Sequence, residues 1–284
     1  QWGAPLADAL EALPDLRERS LWVSLSGAAG TASALGDDPD ALRAALADGL
    51  GLHDPKRSWH TDRSPVLRIT DWMAQVTASL GGMGSTLVAL SASGTDEVSF
   101  AASGRSSTMP QKQNPVAASA LVALSQTAAS LRGGLAAAAA HQHQRDGAAW
   151  FTEWMTVPQM ALCTASSLEI AANLSEGLRP QSERMQAALA SDFGLLHAEA
   201  LSFALSAEMP RPEAQSRTKE LCAQALATGE PLLSLAKAAH PDLTADLTDA
   251  TVQLGQAPQI AKATGMSQSG RSRIRPARRS ERRM

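Results

Sequence analysis

Three long stretches of this sequence place apolar side chains every three or four positions, which is typical of one face of an α-helix. They cover about residues 64–92, 115–141 and 149–175, and each would form a helix roughly 40 Å long at ~1.5 Å per residue. Alanine, serine and threonine, rather than charged residues, occupy much of their other faces. Such helices need apolar neighbours on several sides. The pattern therefore predicts an all-α fold built on a long-helix bundle, and it indicates that copies of the chain assemble.

The composition excludes several classes of protein. The chain has 284 residues, a formal net charge of −3, 44% hydrophobic residues and 4% aromatic residues. Cys163 and Cys222 are its only cysteines, which excludes a disulfide scaffold and a cysteine-based zinc cluster. The sequence has neither an 18-residue apolar run nor a signal-peptide pattern at its start. We therefore expect a cytoplasmic protein.

The pattern of helices and loops divides the chain into three parts. Residues 1–179 are expected to form the bundle domain, residues 180–255 a small C-terminal helical domain, and residues 256–284 a basic, disordered tail. The bundle domain opens with a predicted helix over 5–25, and Gln1 is not an initiator residue, so an N-terminal part is expected to be absent. The body is acidic and no aromatic residue interleaves the arginines of the tail, so nucleic-acid binding is not expected.

Chemically versatile residues are concentrated between the first two long helices. The segment Gly104–Pro115 reads GRSSTMPQKQNP, with a glycine at its start and prolines before the next helix. This composition predicts a mobile loop that ends at a helix N-terminus, where backbone N–H groups favour an anion. Ser106, Lys112 and Asn114 would there form a carboxylate-binding site with a possible proton-transfer group. The alternative is a serine-rich surface loop that caps a helix.

The order of residues in this segment resembles the signature loop of the fumarase/aspartase superfamily, G-S-S-x-M-P-x-K-x-N-P. The match has no gap from Ser106 to Pro115, and the long helices stand where the superfamily has its central bundle. Three further stretches are similar to the branch of bacterial cycloisomerases that act on 3-carboxy-cis,cis-muconate: Trp59–Arg63, Trp150–Trp154 and Leu195–Leu205.

This resemblance implies a reaction and a set of roles. The reaction is the interconversion of 3-carboxy-cis,cis-muconate and its carboxymuconolactone, in the protocatechuate branch of aromatic catabolism. Ser106 would be the general base, and donors at Lys112 and Asn114 would stabilise the charge that develops on a substrate carboxylate. The expected substrate-binding residues are Lys112, Asn114, Ser107, Thr108, Arg105 and Arg145. The resemblance also implies a homotetramer with active sites shared between subunits, a small polycarboxylate substrate, and no cofactor or metal.

The chain departs from the pattern of the superfamily's lyases. Lyases of the superfamily commonly have a glutamate five residues after the asparagine of the loop, where this chain has Ser119. The expected acid–base histidine would lie upstream of Gln1. Arg105 replaces the small residue that is usual before the two serines, and both Ser119 and Arg105 favour the tricarboxylate cycloisomerase over an amino-acid or nucleotide lyase. A fumarate-releasing lyase of the adenylosuccinate type is the first alternative, and a non-catalytic helical assembly of the same fold is the second.

Other polar residues carry weaker expectations. His141 and His143 are two positions apart, so they do not share a helix face, and a solvated helix end is favoured over a metal site. Glu153 is expected either to pair with Arg145 or simply to begin a helix. His60 and Arg63 are expected to cap the first long helix or to lie on the surface, with a functional role as the less favoured alternative.

Overall fold

The computed structural model describes residues 2–101, 104–105, 113–243 and 254–269. The chain divides into two compact units, Gln1–Arg179 and Pro180–Met284. Helices dominate the described part of both units, so the predicted helical class is confirmed.

Three long helices form the framework of the first unit. Together with three shorter helices before them, they are α1 (Gly3–Glu11), α2 (Leu13–Ser20), α3 (Pro39–Leu50), α4 (Ser64–Leu90), α5 (Val116–Ala138) and α6 (Gly147–Gly177). Each of α4, α5 and α6 packs against the other two, and α1 and α2 pack on α4. The predicted long-helix bundle is therefore present. Helices α4 and α5 are antiparallel, because Gly84 faces Ala118 whereas Gly81, one turn earlier in α4, faces Ser125, later in α5.

Local sequence signals explain where several helices begin and end. The side chain of Asp38 accepts a hydrogen bond from the backbone N–H of Ala41 at the start of α3. Gly51 ends that helix in the left-handed conformation. Asp146 caps α6 in the same way as Asp38, through the N–H of Ala149.

Glycines let α4 and α5 approach closely. A methyl group added at Gly84 would lie 2.6 Å from the carbonyl oxygen of Ala118, and one at Gly81 would lie 2.5 Å from Cβ of Ser125. A methyl group at Gly82 would meet nothing within 4 Å. Gly81 and Gly84 therefore serve packing within one chain. Gly82 alone of the three faces an open side.

Short strands connect the helices of the first unit. Strand β1 (Val98–Phe100) pairs with β4 (Leu178–Pro180), and β2 (Gly104–Arg105) pairs with β3 (Gln113–Asn114). The predicted helix over 5–25 is wrong at its end, because α2 stops at Ser20. Trp22 instead forms a parallel bridge with His53, and aromatic and β-branched residues such as Trp22 and Val23 favour such extended backbone.

The second unit is built from shorter helices. They are α7 (Ser182–Ala190), a 3-10 turn (Leu195–His197), α8 (Ala198–Leu205), α9 (Arg211–Thr228), α10 (Leu232–Ala239) and α11 (Ala257–Ser269). Its core consists of buried residues from α8, α9 and α10: Leu201, Leu205, Ala214, Leu221, Ala225, Leu232, Leu235 and Ala236.

Helix α11 differs from the expectation for the tail. Residues 256–284 were predicted to be disordered, whereas Ala257–Ser269 is helical. Alanines favour a helix there, and the arginine-rich sequence begins only at Arg271. Residues 270–284 lie outside the described part of the chain. No helix in the described part is long and apolar enough to cross a membrane.

Candidate functional site

The two ends of the signature segment lie side by side. Gly104 pairs with Asn114, and Arg105 pairs with Gln113, in the antiparallel ladder of β2 and β3. Asn114 is partly buried and stands two residues before the first turn of α5. The structure therefore holds the base of the segment at the N-terminus of a helix, as the sequence predicted.

Most of the predicted site residues lie outside the described residues. Ser106, Ser107, Thr108 and Lys112 belong to this group, and only the backbone of Arg105 is described. Their predicted roles remain predictions.

Arg145 lies at the other end of the bundle from Asn114. Helix α5 lies between the two residues in the chain. It has 23 residues, so its length is roughly 35 Å. One copy of the chain therefore does not bring Asn114 and Arg145 together.

The loop before α4 is held in place by the segment that follows α2. The N–H of Val23 donates to the carbonyl of His53 at 2.9 Å, and the indole N–H of Trp59 donates to the carbonyl of Val23 at 2.9 Å. Asp62 then accepts from the N–H of Ser64 at 3.1 Å and from Arg57 at 2.6 Å. Burial opposes ionisation of Asp62, but these hydrogen bonds outweigh it and lower the pKa of the carboxyl.

Arg63 and Glu153 form a buried ion pair across the bundle. Nε and Nη2 of Arg63 donate to the two carboxylate oxygens of Glu153 at 2.7 and 2.6 Å. Each side chain is only 8% exposed. The expectation that Arg63 caps a helix or lies on the surface is therefore wrong, and Glu153 pairs with Arg63 rather than with Arg145. The pair joins the start of α4 to the first turns of α6.

His60 lies beside the guanidinium of Arg145. Nη2 of Arg145 is 3.4 Å from Nε2 of His60, and it also donates to the carbonyl of Gly27 at 3.2 Å. The guanidinium also stacks 5.0 Å from the centre of the Trp150 ring. His60 is 8% exposed, so it is not the surface residue expected from the sequence. Burial, and then the charges of Arg145 and Arg63, lower the pKa of His60.

The side chain of His141 is fully buried, which corrects the expectation of a solvated helix end. Its Nε2 is 3.7 Å from a carboxylate oxygen of Glu153. Neither ring nitrogen has a hydrogen-bond partner in the described part of the chain. His143 is exposed and has a positive φ of 55°, so the chain turns between the two histidines and only His141 points inward.

The arrangement at this end of the bundle suits an anionic ligand. Arg145 is exposed and held by three contacts, and no hydrogen bond to the described residues occupies its Nε or Nη1. A guanidinium with free donors binds carboxylates in a fixed orientation. Among the described residues, no cluster of three or more His, Cys, Asp or Glu side chains could hold a metal ion.

Sequence reasoning missed the Arg63–Glu153 pair and the buried position of His141. A signal for the pair was present, because Arg63 and Glu153 belong to the two tryptophan-containing stretches, Trp59–Arg63 and Trp150–Trp154. The family resemblance rests on both stretches, but it does not reveal that they contact each other.

Comparison with known proteins supports the resemblance. A family model described as lyase matches residues 1–131. The 3-carboxy-cis,cis-muconate cycloisomerase of Pseudomonas aeruginosa is 37% identical over 217 residues, which cover 75% of this chain and 47% of the relative. The protein of the same name from Bradyrhizobium diazoefficiens is 32% identical over 251 residues, covering 87% of this chain and 55% of the relative.

A solved structure agrees with these relatives. The crystal structure of the 3-carboxy-cis,cis-muconate lactonizing enzyme from Pseudomonas putida superposes with a TM-score of 0.80 at 29% identity, and the match covers 93% of this chain and 61% of that one. The chain thus spans about half the length of the curated relatives that it matches.

Proposed function

Because this chain belongs to the fumarase/aspartase superfamily, we propose that it is part of a cycloisomerase that interconverts 3-carboxy-cis,cis-muconate and its carboxymuconolactone. The observation that carries the proposal is the similarity to two cycloisomerases of that substrate over 75% and 87% of this chain. The signature segment with Ser106, Lys112 and Asn114 supports it from the residues. The proposal places the chain in the protocatechuate branch of aromatic catabolism.

The proposed reaction forms one carbon–oxygen bond and one carbon–hydrogen bond and consumes one carbon–carbon π bond. A carboxylate oxygen of the muconate adds to the carbon–carbon double bond of the same molecule, and the adjacent carbon, which is α to a carboxylate, takes a proton. No atom is lost, and the reverse direction is a β-elimination of the ring carboxylate. Negative charge collects on the oxygens of the substrate carboxylate while the proton is absent, so hydrogen-bond donors at that position lower the barrier.

The signature segment provides the residues for these steps. Ser106 exchanges the proton with the α carbon, and Lys112 and Asn114 donate to the carboxylate on which charge develops. A serine hydroxyl is a weak base in water, so Ser106 needs activation by neighbouring N–H groups and by the ammonium of Lys112 in a site that excludes water. Ser107, Thr108 and Arg105 bind the substrate from the same segment.

Another carboxylate of the substrate is bound by Arg145 of a second copy of the chain. In that copy, Arg145 lies at the end of the bundle opposite to Asn114. The separation of Asn114 and Arg145 by the length of α5 supports this assignment, because an antiparallel arrangement of copies brings unlike ends together. The proposed assembly is a homotetramer in which each active site draws residues from several subunits.

An exposed apolar stripe on α6 supports assembly. Its members, 44–67% exposed, are Phe151, Trp154, Met155, Leu162 and Leu168. Large exposed apolar side chains that recur along one helix indicate an interface. A second copy of the chain is the proposed occupant, since helices of the same bundle offer further small, exposed surfaces at Ala136, Ala137 and Ala140. Light scattering on the protein of natural full length should give the mass of four chains, and a stable monomer at micromolar concentration would contradict this.

A turnover assay with two substrates tests the proposed activity. The protein of natural full length should remove the ultraviolet absorbance of the conjugated diene of 3-carboxy-cis,cis-muconate and should leave adenylosuccinate unchanged. Conversion of adenylosuccinate alone would favour the lyase alternative. If neither compound reacts, the non-catalytic assembly is favoured. The Ser106→Ala variant is the matched control for adventitious activity in the preparation.

A further inference from the structure

The contact between His60 and Arg145 determines where the imidazole carries its proton. Nη2 of Arg145 lies 3.4 Å from Nε2 of His60. A guanidinium nitrogen donates hydrogen bonds and accepts none. A hydrogen bond across this contact therefore requires that Nε2 present its lone pair to Arg145, with the ring neutral and its single proton on Nδ1.

The surroundings of His60 favour this neutral form. The residue is 8% exposed, and its backbone carbonyl accepts a hydrogen bond from Nη1 of Arg63 at 3.3 Å. The charged groups of the cluster are Arg145 from the loop before α6, Arg63 from the residue before α4, and Glu153 of α6, which is paired with Arg63. Burial and the two guanidinium groups lower the pKa of His60, so a proton on both ring nitrogens is disfavoured near neutral pH.

The fold leaves the Nδ1–H group of His60 without a partner. Nδ1 is buried, and no hydrogen bond reaches it in the described part of the chain. Buried polar groups in folded proteins are nearly always paired, so an unpaired one calls for an explanation, such as a ligand that is absent from the free protein. The neighbouring Arg145 is exposed, and its Nε and Nη1 donate to none of the described residues.

We propose that His60 is a substrate-binding residue whose neutral imidazole donates its Nδ1–H to a carboxylate oxygen of the polycarboxylate that Arg145 binds. The inference rests on the proposed function for the identity of the ligand. In this role His60 neither takes nor gives a proton during the reaction. Arg145 fixes the tautomer of His60 and attracts the same carboxylate, so the two residues act as one subsite.

The tautomer can be measured without substrate. Nitrogen-15 NMR of the protein labelled in its histidines, with the His60→Gln variant used to assign the resonance, should show a protonated Nδ1 and an unprotonated Nε2 for His60 at pH 7.5. A proton on Nε2, or on both nitrogens, would overturn the inference. This measurement on the unaltered protein does not depend on whether any variant folds.

Two amide variants test the binding role. Asparagine can place an amide N–H close to the position of Nδ1, whereas glutamine places its amide close to Nε2. His60→Gln should raise KM for 3-carboxy-cis,cis-muconate about tenfold or more, the usual scale for a lost hydrogen bond to a charged group, with a much smaller change in kcat. His60→Asn should raise KM clearly less than His60→Gln. Equal effects in the two variants, or no effect in either, would overturn the inference.

A non-reacting ligand separates failure of this inference from failure of the proposed function. Calorimetric titration with tricarballylate, a saturated tricarboxylate, should show the same order of affinities: unaltered protein, then His60→Asn, then His60→Gln. A protein that binds tricarballylate in this order but does not convert the muconate would overturn the proposed function and support the role of His60. A protein that converts the muconate but binds tricarballylate equally well in all three forms would overturn the role of His60 alone.

Discussion

Arg63 and Glu153 are ninety positions apart in the sequence, and two hydrogen bonds of 2.7 and 2.6 Å join their side chains in the interior of the bundle. The pair connects the residue before α4 to the first turns of α6. It lies next to both His60 and His141, so the geometry of this end of the bundle depends on it.

Removing one partner of this pair should destabilise the fold strongly. Arg63→Met leaves the carboxylate of Glu153 buried without its partner, and a loss of about 3–5 kcal/mol in the free energy of unfolding is expected. Urea denaturation measures this change. The double variant Arg63→Met/Glu153→Leu should recover much of the loss, because neither charge then remains buried alone.

An exposed pair of similar length is the matched control. Arg132 and Asp71 are 2.6 Å apart, but their side chains are 49% and 40% exposed. Arg132→Met should cost no more than about 1 kcal/mol. Equal losses in Arg63→Met and Arg132→Met would contradict the importance of burial for the first pair.

The two types of glycine in α4 should respond oppositely to alanine. Gly84→Ala places a methyl group against the backbone of α5 and should cost about 1–3 kcal/mol through overpacking. Gly82→Ala meets open space within the chain and should gain up to about 1 kcal/mol, because alanine favours helix. Thermal unfolding of both variants provides the measurement. Equal midpoints for the two variants would argue against the close approach at Gly84.

Substitutions in the signature segment should lower activity in different ways. Ser106→Ala should reduce kcat by at least ~100-fold, the scale for loss of a positioned acid or base. Lys112→Ala should weaken both substrate binding and rate, because one cation serves the bound carboxylate and the developing charge. Steady-state kinetics on the muconate distinguish the two patterns. Unchanged kinetics in Ser106→Ala would remove this serine from the mechanism.

Two inactive variants should complement each other if active sites are shared. Ser106→Ala and Arg145→Ala alter opposite ends of the bundle, so mixed assemblies contain some sites with both native residues. Mixing them after dissociation should restore part of the activity. A mixture of Ser106→Ala with Lys112→Ala should restore none, because both residues belong to one segment of one chain. Mixed tetramers that form but stay inactive would contradict the shared site.

The free energy of unfolding should decrease as the pH falls, because His60 binds a proton more readily in the unfolded chain than in the folded chain. The pKa of His60 is lowered in the folded chain from its ordinary value of 6.5, so the unfolded chain takes up the proton first as pH falls. The contribution of neutral His60 to the free energy of unfolding is fully present above about pH 6.5, and it is lost as the pH falls towards the lowered pKa of the folded chain. His60→Gln should therefore flatten the decrease in unfolding free energy as the pH falls below about 6.5. Parallel pH profiles for the variant and the unaltered protein would contradict this.

The sequence was most informative about the long helices and the signature segment. Periodic apolar positions from Ile69 to Leu90 predict α4 directly, and the run from Ser106 to Pro115 carried the family resemblance. Both signals are local, so neighbouring residues were enough to detect them.

Contacts between distant parts of the chain were not predictable in this way. No local pattern pairs Arg63 with Glu153, because their positions depend on how α4 and α6 pack. The spacing of His141 and His143 correctly placed them on different sides, but the left-handed conformation of His143 decides which one points inward. The end of α2 at Ser20 depends on a bridge to His53, thirty-one positions after Trp22.

The ladder of β2 and β3 has a further consequence for the energetics of substrate binding. Because Arg105 and Gln113 are paired, the ends of the intervening chain meet before any substrate is present. The entropy of loop closure, which grows with the logarithm of loop length, is therefore lost during folding rather than during binding. Substrate affinity therefore does not bear this cost, and lengthening the stretch between these two anchors would lower the stability of the fold only gradually.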